Sequence, residues 1–172
     1  MSNRIRVLIV DDSAFVRGAI ARLISGDERF EGVGQARDGN EGVALARSLK
    51  PAVVTMDFNM PGLNGAQATR AILETDPVPI VMLSAHTVEG AAETVEALAA
   101  GAVDFVAKPD AEVSTKLGEI RDRLIEKLLT AAGANLDSMR SAATAPPASE
   151  APLSRRPSAR ARPMPVGLRV VT

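Results

Sequence analysis

The first 130 residues predict a five-stranded α/β domain with a doubly wound parallel sheet, and three observations carry the prediction. Short apolar runs alternate five times with segments of helical apolar spacing. The strongest runs, Val7-Leu8-Ile9-Val10, Val53-Val54-Thr55-Met56 and Ile80-Val81-Met82-Leu83, are continuous rather than alternating, as in strands covered on both faces. Right-handed crossovers between successive parallel strands then put helices on both sides of the sheet.

In chain order, the run Val7 to Val10 is the first strand, and the helix after it has two adjacent stripes. Phe15, Ala19 and Leu23 form one, and Val16, Ile20 and Ile24 the other, which together make a broad apolar face. Asp12 or Ser13 is placed to cap this helix. Residues 30–36 form a weaker strand, interrupted by Gly32 and Gly34, and residues 39–49 a second helix with Val43, Ala44 and Leu45. Val53 to Met56 is the third strand, and residues 66–73 are the third helix. Ile80 to Leu83 is the fourth strand, followed by an Ala- and Glu-rich helix over 91–100, which Gly101 is suited to end in a left-handed cap. Phe105-Val106-Ala107 is the fifth strand, and residues 114–130 close the set with Leu117, Ile120, Leu124 and Leu128 at helical spacing.

The chemistry changes after about residue 131. Residues 1–130 carry 14 Lys and Arg against 19 Asp and Glu, whereas 131–172 carry six Arg against Asp137 and Glu150. The second stretch is rich in Ala, Pro, Ser and Arg, and such a segment buries too little surface to offset its ordering entropy. It reads as a disordered linker or tail, with a basic nucleic-acid-binding tail as the lesser alternative. Gly167-Leu168-Arg169-Val170-Val171-Thr172 reads as the opening of another strand, so the linker is expected to lead toward a further domain.

Composition excludes several functions. With no Cys there is no disulfide framework, thiol nucleophile or zinc–thiolate site, and the single His, His86, cannot build a histidine-rich metal centre. Four Phe and no Trp or Tyr leave few rings to stack on bases, so no nucleic acid is expected as a partner. No apolar run nears the roughly 20 residues that span a bilayer, and MSNRIRVLIVDDS lacks a secretory signal's apolar segment. A cytoplasmic location away from membranes is expected. Gly32-Val33-Gly34 is a fragment of a dinucleotide fingerprint, but Arg37 stands where the third glycine belongs.

The informative residues stand where strands stop. Asp11-Asp12 follow the first strand, Asp57 the third, Ser84 the fourth and Lys108-Pro109 the fifth. All strands of a parallel sheet end on one edge, where open α/β folds bind ligands. Three carboxylates gathered there would repel one another, and a hard divalent cation relieves that repulsion. Mg²⁺ suits oxygen ligands, one or two carboxylates and a phosphate. With a lysine and a hydroxyl alongside, Asp57 is placed to attack phosphorus and form an acyl phosphate. Taken singly, Asp-Asp reads as a helix cap, Lys-Pro as a surface turn, and Ser84 or His86 as a loop residue. Four such features at successive strand ends favour a site.

These residues resemble the receiver domain of two-component response regulators over roughly residues 4–130. The resemblance rests on Asp11-Asp12, Asp57, Met60-Pro61-Gly62 with Asn64-Gly65, Ser84-Ala85, and Gly101-Ala102 followed by Lys108-Pro109. Within that family, Pro79-Ile80-Val81-Met82-Leu83-Ser84 and the stretch from Gly101 to Pro109 look most like the receiver half of chemotaxis-type protein-glutamate methylesterases. The resemblance implies a flavodoxin-like strand order 2-1-3-4-5. It implies that Asp57 accepts phosphate from a sensor histidine kinase, and that Asp12 and Asp57 bind Mg²⁺ directly, with the Asn59 backbone carbonyl. Asp11 would act through a metal-bound water, and Ser84 and Lys108 would hold phosphoryl oxygens. It implies a switch in which Ser84 and Phe105 move together, with output on the face of helix four, strand five and helix five. Pro109 would be a cis proline that aims Lys108 inward. Phe105 stands where many relatives have Tyr, and Ser84 where Thr is common.

Three other readings compete. In the first, the chain is the regulatory half of a protein-glutamate methylesterase whose catalytic domain is missing; no esterase activity is then expected of these residues. In the second it is a free-standing receiver that only docks on a partner. In the third it is a haloacid-dehalogenase-like phosphatase, which needs Asp-x-Asp where this chain has Asp57-Phe58-Asn59.

Overall fold

The structure is a computed structural model that describes residues 4–85, 92–108 and 117–144. Five strands, β1 (Ile5–Val10), β2 (Phe30–Ala36), β3 (Val53–Asp57), β4 (Ile80–Ser84) and β5 (Asp104–Ala107), alternate with five helices. These are α1 (Ala14–Ser25), α2 (Gly39–Leu49), α3 (Gly65–Thr75), α4 (Ala92–Ala99) and α5 (Leu117–Thr144). The strands form one sheet in the order β2-β1-β3-β4-β5, and every pairing is parallel.

Side chains on successive strand residues point to opposite faces, and here both faces are covered. Leu8, Val10, Val54, Met56, Ile80 and Met82 pack with Ala46, Ala68, Ile72 and Ala97, so α2, α3 and α4 lie on one side. Val7, Ile9, Val53, Val81, Leu83 and Val106 pack with Ile20, Ile24, Leu124 and Leu128, so α1 and α5 lie on the other. All five residues of β3 and of β4 are buried, which explains why those runs are continuous in the sequence. The weak β2 run reflects an irregularity: the register with β1 slips between Val7 and Leu8, which pair with Gly32 and Gly34.

Local signals fix the helix ends. The Ser13 side chain accepts from the Val16 N–H to cap α1, and Asp38 caps α2 through the Glu41 N–H. Asn64 and Gln67 make a reciprocal capping box at the start of α3. After α4, Gly101 has φ of +106°, a backbone conformation that glycine adopts without steric penalty.

Two boundaries differ from the sequence reading. Phe15 does not join the core face of α1; it stands in the first turn and is 56% exposed, whereas Ala19, one turn later on the same stripe, is buried. The last helix does not stop near residue 130 but runs to Thr144, with Ala131 and Ala132 buried. Alanine is the strongest helix former, and no proline occurs after Pro109 until Pro146, so the helix continues where apolar periodicity fades. The expectations for His86, for a cis Pro109 and for residues 145–172 fall outside the described residues.

Candidate functional site at the carboxyl edge of the sheet

The order β2-β1-β3 means that the chain leaves β1 in one direction and returns on its other side, which opens a crevice beyond the carboxyl ends of β1 and β3. Asp11 and Asp12 follow β1, and Asp57 ends β3. Backbone bonds prolong the ladders past the last strand residues. The Asp11 N–H donates to Ala36 O at 3.1 Å, the Phe58 N–H to Leu83 O at 3.0 Å, and the Lys108 N–H to Ser84 O at 2.9 Å. The edge is therefore tied together by the sheet itself.

Asp11 and Asp57 are fully buried, Ser84 is 4% exposed, and Asp12 lies at the open rim. Lys108 bridges the two buried carboxylates, with Nζ 3.0 Å from Asp11 Oδ2 and 2.8 Å from Asp57 Oδ2. The other oxygens meet backbone donors, Asp11 Oδ1 from the Ser13 N–H at 2.9 Å and Asp57 Oδ1 from the Asn59 N–H at 3.0 Å. The Arg17 guanidinium donates to the carbonyls of Asp11 at 2.8 Å and Asp12 at 3.2 Å, which clamps the acidic pair from α1.

Burial pushes the Asp57 carboxyl up to about 6 from 3.8, against the pull of the Lys108 ammonium and the Asn59 N–H and with help from the Asp11 charge. Burial also works against the charged form of Lys108, but its contacts with Asp57 and Asp11 outweigh it and raise its pKa. Among the described residues the site thus sets three clustered carboxylates against the Lys108 ammonium.

The donor set fits a hard cation. One carboxylate oxygen from each of Asp11, Asp12 and Asp57 lies within 4.8 Å of the others. Oδ2 of Asp11 and of Asp57 are buried, and among the described residues the Lys108 ammonium, 3.0 and 2.8 Å away, faces both of them. A cluster of three carboxylate oxygens with a single ammonium beside it suits Mg²⁺, which prefers oxygen ligands.

All the strand-end residues read from the sequence thus come to this edge: Asp11, Asp12, Asp57, Ser84 and Lys108, with Asn59 just beyond β3. Phe105 lies farther down β5, half-buried against the core beside α2, α3 and α4. The Lys127 ammonium stands 5.9 Å from its ring centre and pairs with Asp104 at 2.6 Å. Val95 and Leu98 of α4 and Val103 before β5 are exposed, giving that face an apolar character.

Two contributors were not read from the sequence. Arg17 has a legible signal, since it lies one helical turn after the Ser13 cap and within reach of the carbonyls just before it. Glu93, in the first turn of α4, has none. Its Oε2 accepts from Ser84 Oγ at 2.7 Å and its Oε1 from Asn59 Nδ2 at 3.1 Å, contacts that only the folded sheet edge brings about.

Comparison with known proteins agrees with this geometry. The family model described as the response regulator receiver domain matches residues 7–117. A protein-glutamate methylesterase/protein-glutamine glutaminase of Pyrococcus horikoshii is 44% identical over 132 residues, which are 77% of this chain and 36% of that protein. The chain therefore spans about a third of the length of the curated relatives it matches. The crystal structure of the response regulator domain of Thermotoga maritima CheB is 45% identical with a TM-score of 0.70, covering 76% of this chain and 97% of that one. A chain of the crystal structure of the P1 domain of CheA3 in complex with CheY6 from R. sphaeroides is 33% identical with a TM-score of 0.62, over 76% of this chain and all of that one (100%). The strand order, the acidic edge and the match across residues 7–117 lead to one conclusion: the chain belongs to the response regulator receiver domain family and is similar to the receiver of CheB methylesterases.

Proposed function

We propose that the protein is a phosphoacceptor switch of a chemotaxis-type two-component pathway and that Asp57 carries the phosphoryl group. The observation that supports this most directly is the Asp57 carboxylate, buried at a strand end between Lys108 and a second aspartate. A carboxylate oxygen of Asp57 attacks phosphorus, an O–P bond forms, and the bond to the donor breaks, leaving an acyl phosphate on the protein. With a phosphohistidine donor the leaving group is an imidazole nitrogen, which suits a sensor histidine kinase as partner. The similarity to a chain from the CheA3 P1–CheY6 complex supports that choice.

Asp11, Asp12, Asp57 and the Asn59 carbonyl would hold Mg²⁺, which when bound offsets the charge of the phosphoryl oxygens. Lys108 orients the attacking carboxylate and balances charge as it develops. Ser84 donates its hydroxyl to a phosphoryl oxygen. Its movement makes room for Phe105, and the apolar face around Val95, Leu98 and Val103 changes shape for an effector domain or protein. Turnover of phosphate at Asp57 is the only chemistry we assign to these residues.

The full chain, incubated with a small acyl phosphate and Mg²⁺, is expected to gain the mass of one phosphoryl group, and Asp57→Asn to gain none. Equal uptake by both would remove Asp57 from the role.

A second reading makes this receiver the regulatory half of a protein-glutamate methylesterase. It is favoured by the 44% identity that spans only 36% of the Pyrococcus horikoshii protein. A transcript that runs past Thr172 into a catalytic domain would establish it, and one that stops there would favour a free-standing regulator.

A further inference from the structure

The geometry points to Glu93 as a built-in competitor of the phosphoryl group: its carboxylate holds the Ser84 hydroxyl and the Asn59 amide in the unmodified protein and is displaced, with the start of α4, when Asp57 is phosphorylated. The inference rests on Asp57 being the phosphoacceptor.

An acidic residue in the first turn of a helix ordinarily faces solvent, where it interacts favourably with the helix dipole. Glu93 does more than that. Each of its oxygens takes a donor from a different element, Ser84 Oγ from the end of β4 at 2.7 Å and Asn59 Nδ2 from the loop after β3 at 3.1 Å. The Asn59 backbone N–H in turn donates to Asp57 Oδ1 at 3.0 Å, so one residue separates Glu93 from the attacking carboxylate. Two neutral donors thus converge on a planar anion beside the phosphoacceptor.

A phosphoryl group on Asp57 offers the same thing, an anion with several acceptor oxygens. The Ser84 hydroxyl has one proton, so the two anions cannot both take it. The neighbourhood already contains Asp11, Asp12 and Asp57 against Lys108, and phosphorylation adds negative charge. Glu93 is a like charge one hydrogen-bonded residue away, so added negative charge on Asp57 repels it. Glu93 must therefore yield Ser84 to the phosphoryl oxygens. Because it belongs to α4, its departure pulls on the helix that also carries the exposed Val95 and Leu98. Glu93 is in this sense a positioning residue: it acts on the reaction through Ser84 and Asn59, and transmits the outcome to a surface.

The test uses the full 172-residue chain and the variants Glu93→Gln and Glu93→Ala, with a small acyl phosphate as donor. Removing the charge is expected to raise the phosphorylation rate about fivefold at low ionic strength. The gain should shrink as salt is added, because the incoming donor is an anion. A second readout needs no turnover. In the free Glu93→Ala protein, the amide resonances of Val95 and Leu98 should already lie toward the positions that wild type reaches only with Mg²⁺ and beryllofluoride. Wild-type rates at every salt concentration, together with unmoved α4 resonances, would overturn the inference and leave Glu93 an ordinary helix-start acid. Failure of wild type to take up phosphate would instead count against Asp57 as acceptor, so the two failures are distinguishable.

Discussion

Among the described residues, Asp57 carries a clear pH signature. Its folded carboxyl titrates near 6, against 3.8 for the ordinary group, so between those values the folded protein binds more protons than the unfolded chain. Stability must then fall as pH rises through that window, the reverse of the usual aspartate case. The shift corresponds to an upper bound of about 3 kcal/mol of destabilisation at neutral pH. We expect Asp57→Asn to melt above wild type at pH 7.5, with the difference closing as pH falls to about 4. Mg²⁺ should raise the wild-type melting temperature at pH 7.5 and do far less for Asp57→Asn. A wild type that is indifferent to both pH and Mg²⁺ would mean that the carboxylates are not strained as described. The identity of this residue was legible because an aspartate ends an apolar run. The equal weight of Glu93 was not, since nothing in a linear sequence says that the first turn of α4 folds over Ser84 and Asn59.

Among the elements, β3 and α3 hold the site most directly. A Cβ added to Gly65 would meet the Asp57 carbonyl oxygen at 2.2 Å and Phe58 Cα at 2.8 Å, both backbone atoms that cannot swing aside. The Gly65 N–H also donates to Phe58 O at 2.9 Å, so the helix abuts the end of the strand. Gly65→Ala is expected to lower stability by about 2–3 kcal/mol in a denaturant titration and to slow phosphate uptake together with it. In the same strand Thr55 is fully buried, and its hydroxyl has no hydrogen-bond partner among the described residues. Thr55→Val should therefore raise stability by about 1 kcal/mol in a denaturant titration; a lower midpoint would show that the hydroxyl is satisfied after all. Buried strands and capped helices were readable because their signals are local: continuous apolar runs, Ser13, Asp38 and Asn64. The outward turn of Phe15 was hidden, because a hydrophobic stripe says which residues are able to face a core but not how far the sheet reaches beneath them.

At the scale of the whole molecule, composition marked a change near residue 131, while the folded chain extends its last helix to Thr144. Ala131 and Ala132 are 4% and 3% exposed, so the helix still touches the core after the leucine pattern has ended. Alanine's short side chain makes that contact too weak a hydropathy signal to read. A chain cut after residue 130 is expected to melt several degrees below one cut after residue 144, by the burial lost with those two residues; equal melting temperatures would show that the helix beyond residue 130 adds nothing to the stability of the domain.

The slipped register between Val7 and Leu8 also has a consequence for how molecules behave in company. A parallel sheet has two open flanks, and each is an invitation for a foreign strand to add. Here the strand on one flank carries a register slip between Gly32 and Gly34, and the other flank is a strand of only four residues. Among the described residues neither flank offers a long regular ladder, so neither is a ready template on which a foreign strand could add.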